Sequence, residues 1–525
     1  MIALNQSRTK RLVAIHGWSG TILGILLYVV VFTGAVVVFD NEIGVWSQNG
    51  ATGDRALSEL IDRPVRQLAR EVDPRFYEEV TVGKNSNGQL RVSFLRHQKN
   101  PATGELEDYG IIFLKDLETG EMVDRYEGYL RENVQSQRGH ALQRFFVDLH
   151  VQLYMPEPWG LYATGVLGLM MMFSVISGVL MHRHVIRDMY LPARDSIRLS
   201  SARDRHVLIS AWSVPFGILL AFTGAFFSFA ISLGVPVLAM VAFGGDQQAL
   251  IESVIGLPEA VDNTPMPFAS LDYVIADAAA RAGTVPTFLL FENFGTASAS
   301  LTTFHGAAPG DLTGMRLGYD GVTREFMGAK PQLGQVPSVG SSIASLMGPL
   351  HFGNFAGVTS RIVWLALGAA MAYATATGLL LWVRRRAEDQ TWQKFNRSLV
   401  ISLWGLPIAM MGSAVAFFLT LPAGDPVWWT PAAFVITSLV VISMGLGKTD
   451  PSARYRWMLA GLCFVTPLLR MMTGGTSWSE ALMTGTGEVI SIDLVLILSG
   501  LWLTYPLRIG LLKQKEQPLS LEPAE

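Results

Sequence analysis

The chain has 525 residues, half of them hydrophobic and only 16% charged, with a formal net charge of -3; a soluble protein of this size carries about 25% charged residues. The near-neutral balance gives no footing for a nucleic-acid partner. The single cysteine, Cys463, excludes intramolecular disulfides, four-cysteine iron–sulfur clusters and covalent haem attachment through Cys-x-x-Cys-His. The sequence holds neither a Gly-x-Gly-x-x-Gly turn after a strand nor a Walker A motif, which argues against a built-in nicotinamide site or an ATPase.

A membrane span needs about 20 largely apolar residues. The first such stretch runs from about Trp18 to Phe39 and is too long for the core of a cleaved signal peptide, so it is read as retained. Others follow at about 160–181, 207–233, 359–383, 398–420, 428–447, 457–473 and 487–507, for about eight spans. Basic residues recur at alternate ends: Arg8, Lys10 and Arg11, then six arginines from Arg183 to Arg205, then Arg384–Arg386, Lys448, Arg454 and Arg456, and Arg508, Lys513 and Lys515. Positive charge marks the cytoplasmic side, so both termini are expected there and the two long segments between spans outside.

The resulting order is span one (8–40), an outer module (41–150), span two (151–183), a cytoplasmic loop (184–206) and span three (207–233). A second outer module (234–350), span four (351–386) and a further four-span region (397–510) complete it. Both modules read as α+β. In the first, apolar spacing predicts a helix over Leu57–Val72, with strand-like runs at Leu90–Leu95 and Tyr109–Leu114. In the second, a helix near Leu271–Ala282 precedes runs at Thr287–Phe291 and Ser298–Phe304.

The first four spans are an internal duplication. Phe32-Thr33-Gly34 recurs as Phe222-Thr223-Gly224, and the same offset carries His16 onto His206 without a gap. His150 followed by Ser177-Gly178-Val179-Leu180 matches His351 followed by Thr377-Gly378-Leu379-Leu380 once a single-residue gap is allowed. A histidine in a membrane is costly and marks a candidate site. Two imidazoles from different helices can ligate one haem iron axially, and a duplicated residue that merely met lipid headgroups would have no need to keep its depth. His16 with His206 on the inner side, and His150 with His351 on the outer, are therefore candidate ligands of two haems. His182 matches Trp382 in the second repeat, so it has no symmetric mate and could replace a member of the inner pair, or contact a haem propionate or the electron donor. His97, His140 and His305 read as surface residues of the modules, and His184 as a loop residue. Gly20, Gly24, Gly34, Gly217 and Gly224 fit either close helix packing or clearance for a cofactor.

His16-Gly17-Trp18 with Phe32-Thr33-Gly34, and Arg205-His206-Val207-Leu208 with Phe222-Thr223-Gly224, resemble spans one and three of PepSY-associated transmembrane proteins. Pro349-Leu350-His351-Phe352-Gly353 and Thr377-Gly378-Leu379-Leu380-Leu381-Trp382 resemble their fourth span. Ser177 to Arg183 is similar to the branch that contains inner-membrane ferric-siderophore reductases. The resemblance covers about residues 8–390. It implies that the outer segments are periplasmic PepSY-like modules and that the protein, in the bacterial inner membrane, carries about two haem b groups. It further implies electron transfer from a cytoplasmic or quinol donor to a periplasmic ferric siderophore, which would release Fe(II) for uptake. Competing readings are a quinol-linked haem oxidoreductase with another acceptor, and a non-redox PepSY membrane protein that binds a partner. Tyr154 to Trp159 departs from the plainer segment usual after the outer histidine of span two. The added C-terminal spans contain no histidine and so should hold no bis-histidine haem.

Overall fold

A computed structural model describes residues 5–505 apart from 49–54, 59, 86, 102–103, 105, 133–137, 183–189, 191–197, 247–248, 251–260, 332–336 and 448. His184 and most of the cytoplasmic loop lie outside the described residues. The first helix, α1 (Gln6–Val37), starts at Asn5, whose side chain accepts the Arg8 amide at 2.9 Å and satisfies one of the free N–H groups of the first turn. Next come α2 (Asp40–Ser47), α3 (Asp62–Ala69), strands β1 (Glu79–Lys84), β2 (Leu90–Lys99), β3 (Leu106–Lys115) and β4 (Met122–Tyr129), then α4 (Ala141–Gln152) and α5 (Trp159–Met181). The second repeat supplies α6 (Arg198–Trp212), α7 (Val214–Phe229), α8 (Val235–Ala242), α9 (Leu271–Ala282), β5 (Pro286–Glu292), β6 (Ser300–His305), β7 (Met315–Asp320), β8 (Phe326–Ala329), α10 (Val339–Phe352) and α11 (Gly357–Arg384). The C-terminal region holds α12 (Gln390–Thr420), α13 (Pro426–Gly445), α14 (Ser452–Met472), α15 (Trp478–Thr484) and α16 (Gly487–Thr504).

Among the described residues, six helices are long and apolar enough to cross a membrane: α1, α5, α11, α12, α13 and α16. The consecutive helices α6 and α7 make a seventh if their 63° bend is counted within one span. The sequence reading of about eight spans also counts α14. Helix α14 is long enough, but Arg454, Arg456 and Arg470 make it less apolar than the rest. The α6–α7 break follows from Pro215, which has no N–H to give and whose ring collides with the carbonyl one turn earlier.

The two outer modules form a single antiparallel sheet of eight strands in the order β4-β3-β2-β1-β5-β6-β7-β8. Each module is a meander, and the two join where β1 pairs with β5, from Glu79 opposite Glu292 to Gly83 opposite Phe288. Both modules therefore lie on one side of the membrane. Helices α3 and α9 cover one face of the sheet and share one core, where Ile61, Val65, Leu68, Val274 and Ala278 meet Val80, Val82, Phe94 and Phe291. The two helix starts cap each other: Asp272 accepts the Ile61 and Asp62 amides at 2.8 and 3.0 Å, and Asp62 accepts the Leu271 amide at 2.9 Å. A cap of this kind is worth ~1 kcal/mol, and here each depends on the other repeat. The expected helix over Leu57–Val72 is shorter than its periodicity suggests, because Leu57 and Ile61 are buried ahead of the helix start rather than within it.

His305 is corrected from surface residue to core, being only 6% exposed. Its Nδ1–H donates to the Thr284 carbonyl at 2.7 Å, and Nε2 accepts from the Thr303 hydroxyl at 2.9 Å, so the neutral ring is fully satisfied. Burial holds it below the ordinary 6.5. Above pH 6.5 the ring is neutral in the folded and unfolded chain alike. Below that value the unfolded chain binds the proton first, and stability falls until the folded-state pKa is passed. Hydrogen exchange of the β5 and β6 amides, corrected for intrinsic rate, should therefore show protection declining as the pH falls through 6.5 and below. His305→Gln should flatten that decline; an equally steep decline in the variant would show that another group carries it.

The C-terminal helices rest on the repeat core through α1, α2 and α4. The Tyr28 hydroxyl donates to the Leu403 carbonyl at 3.2 Å, Arg138 donates to the Leu421 carbonyl at 3.0 Å, and Phe145 meets Phe434 at a ring distance of 5.5 Å. An ion pair between Arg470 and Asp493 at 2.7 Å, with both residues fully buried, anchors this region. Trp46 of α2 and Trp478 each donate an indole N–H to the same carboxylate at 2.8 Å.

Candidate functional site

The outer histidines sit on short helices that precede the spans. His150 is near the end of α4, which stops at Leu153 in a left-handed conformation, and His351 is near the end of α10, which stops at Gly353 in the same conformation. These stops turn the chain into α5 and α11. They bring the His150 and His351 rings to 6.2 Å between centres, with planes 27° apart. An imidazole nitrogen ligates a metal at about 2.0 Å and lies about 1 Å from its ring centre, so two imidazoles across one ion have centres roughly 6 Å apart. The outer pair has that spacing.

The inner histidines, His16 on α1 and His206 on α6, line one cavity of 460 Å³ between α1, α5, α6, α7 and α11. His182, just past the end of α5, and its repeat counterpart Trp382 line the same cavity. So do Arg203 and Arg385, which place positive charge there. Trp382 is stacked by Arg386 at 3.6 Å and lies 5.9 Å from Trp18.

All four paired histidines are held through Nδ1. His16 Nδ1 meets the Ser177 hydroxyl at 2.9 Å and His351 Nδ1 the Thr223 hydroxyl at 2.8 Å. His150 Nδ1–H donates to the Val30 carbonyl at 2.9 Å, and His206 Nδ1–H donates to the Ala374 carbonyl at 3.0 Å with the Thr377 hydroxyl at 3.2 Å. Among the described residues, no hydrogen bond engages Nε2 of any of the four. Engaging Nδ1 leaves Nε2 as the lone-pair nitrogen, the state in which histidine ligates a metal.

The residue after each hydroxyl, or after Thr33 beside His150, is glycine, and the reason is close approach. A Cβ on Gly34 would stand 2.8 Å from His150 Cε1, one on Gly378 3.0 Å from His206 Cε1, and one on Gly224 3.3 Å from His351 Cε1. These glycines make room for the histidine rings themselves, a role neither packing nor cofactor clearance anticipates. Gly20, Gly24 and Gly217 all line the cavity; Gly24 and Gly217 also pack against Leu379 and Val175, whereas Gly20 has open space beside it. The hydroxyls were visible in the repeated Thr-Gly and Ser-Gly pairs, but nothing in the sequence says which group a hydroxyl faces.

The remaining histidines stand apart from the pairs. His97 lies on the surface between Glu78 and Asp108 at 3.0 and 3.3 Å. His140, expected at the surface, is partly buried at the start of α4, with the Gln48 amide at 3.0 Å. No group of three or more His, Cys, Asp or Glu side chains suited to a metal ion occurs among the described residues. Two imidazoles per site are too few for the four protein ligands of a structural zinc site. They fit an iron whose other four ligands belong to a porphyrin.

The sequence pattern of the family described as PepSY-associated TM region matches residues 13–385. All four paired histidines and every residue lining the inner cavity except Thr9 fall within that match. The chain is also similar to an uncharacterized protein of Pseudomonas aeruginosa, at 27% identity over 260 residues, which is 46% of this chain. The matched part spans 63% of that relative's length.

Proposed function

Because the chain belongs to the PepSY-associated transmembrane family, we propose that it is a haem-b oxidoreductase of the bacterial inner membrane that reduces a periplasmic ferric siderophore. The observation that carries this reading is the outer pair, His150 and His351, with rings 6.2 Å apart and Nδ1 of each already engaged. The same duplication matches His16 with His206, which line one cavity with Nδ1 of each engaged. When bound, haem b supplies one-electron transfer at an iron held between two imidazoles.

The chain's own residues position and tune such groups. His150 and His351 would ligate at the outer site, and His16 and His206 at the inner one. Arg203 and Arg385 are suited to meet the carboxylates of a cofactor in the inner cavity, and His182 with Trp382 to close its wall. No general acid or base is needed, because Fe(III) chelates are tight and Fe(II) chelates weak. A single electron therefore releases the metal and leaves the chelator intact. The basic segments, by the positive-inside rule, support cytoplasmic termini, and the shared sheet supports placing both modules together on the opposite, periplasmic side.

The test is sided. In vesicles of known orientation, with reductant confined to the side bearing Arg8 and Arg11, Fe(II) should appear in a ferrous trap on the sheet side when a ferric siderophore is supplied there. Protein-loaded vesicles that reduce no faster than empty ones would overturn the reading.

A further inference from the structure

The two outer histidines reach the same tautomer by different routes. Thr33 and Thr223 occupy equivalent places in the duplication, and each hydroxyl donates to the carbonyl one turn back, Thr33 to Val29 at 2.7 Å and Thr223 to Leu219 at 2.8 Å. A hydroxyl has one proton to give. With that proton committed to the helix, each oxygen can only accept from a neighbouring imidazole.

At His351 this acceptor is decisive. The Thr223 oxygen lies 2.8 Å from His351 Nδ1, and no backbone carbonyl shares that nitrogen among the described residues. At His150 the carbonyl of Val30 takes the Nδ1 proton at 2.9 Å, and the Thr33 oxygen stands back at 3.5 Å, the outer limit of a hydrogen bond. The aromatic ring of Phe227 lies 5.5 Å from the His351 ring, whereas Val37 holds the equivalent place in the first repeat.

We propose that Thr223 is a positioning residue of the outer site, the single acceptor that fixes His351 as the Nδ1–H tautomer with Nε2 free, and that Thr33 has no such role toward His150. The proposal deepens the haem reading and rests on it for its consequence. An acceptor at Nδ1 raises imidazole basicity and metal affinity, and losing one costs about 10–100-fold in affinity. Weaker donation to iron favours the reduced state, so the loss also raises the reduction potential of the outer site.

The test compares Thr223→Val, Thr223→Ser and Thr33→Val in the full-length protein. Valine keeps the shape of threonine and removes the oxygen; serine keeps the oxygen. The first readout needs no cofactor: solid-state ¹⁵N spectra of histidine-labelled protein in lipid report the tautomer of each ring. The Nδ1–H signature of one buried ring should vanish in Thr223→Val and persist in Thr223→Ser and Thr33→Val. The second readout is potentiometric. Thr223→Val should raise the potential of one of two haems and weaken its retention about tenfold, while Thr33→Val moves neither. Equal responses of Thr223→Val and Thr33→Val, or an unchanged tautomer in Thr223→Val, would overturn the assignment. A haem-free protein whose tautomer still depends on Thr223 would support the positioning role and overturn the haem reading, so the two failures are distinct.

Discussion

His351→Ala is expected to stop outward reduction of a ferric siderophore while leaving the inner site reducible. The substitution removes one imidazole of a pair whose rings stand 6.2 Å apart, so a haem held by that pair would lose a ligand and would be released or become high-spin. The inner cavity, with its own histidines, is lined by neither His150 nor His351. Sided vesicles should therefore show partial haem reduction from the cytoplasmic side and Fe(II) formation at the protein-free level. His206→Ala should give the converse: a preserved outer haem that cannot be reduced from within. If His351→Ala reduced the chelate at the wild-type rate, the outer pair would not be the exit site, even in a protein that binds two haems.

Asp493→Leu is expected to destabilise the chain by about 3–5 kcal/mol, because it leaves the fully buried Arg470 without a counter-ion. A domain has only about 5–15 kcal/mol to lose. The substitution also removes the acceptor of the Trp46 and Trp478 indoles. Trp46 belongs to α2, which packs with Leu142, Phe145 and Leu149 of α4, the helix carrying His150. The outer site should loosen along with the fold. The double variant Arg470→Met with Asp493→Leu replaces the pair by apolar groups and should regain most of the loss. Thermal unfolding in detergent measures both. An Asp493→Leu protein as stable as the wild type would show that water or lipid headgroups already reach this pair.

Where an element's own residues dictate it, the sequence was sufficient. The apolar lengths of α1, α5, α11, α12, α13 and α16, the helix over Leu271–Ala282 and the duplication that pairs the histidines could all be read without coordinates. What lay beyond reach depends on groups distant in the chain. The fusion of two modules through β1 and β5 is a backbone pairing with no composition signal, and the mutual capping by Asp62 and Asp272 follows from it. The bend at Ser213, which Pro215 brings about, was not drawn from the apolar run, which reads straight through 207–233. His305 read as a surface residue because its partners, Thr284 and Thr303, become neighbours only once β6 is built. The C-terminal helices, without histidine, gave no sign that they hold α4 in place. Among the described residues, the inner cavity is lined by nothing past Arg385, yet the helix bearing His150 leans on Phe434.

The most direct test of the central claim is the visible spectrum of the purified protein, oxidised and then dithionite-reduced, with haem quantified by the pyridine haemochrome method. Two histidine pairs per chain predict about two haem b groups per polypeptide, both low-spin with bis-imidazole ligation. A colourless preparation from haem-replete cells would contradict the account outright, and a single haem per chain would show that one of the two pairs does not ligate.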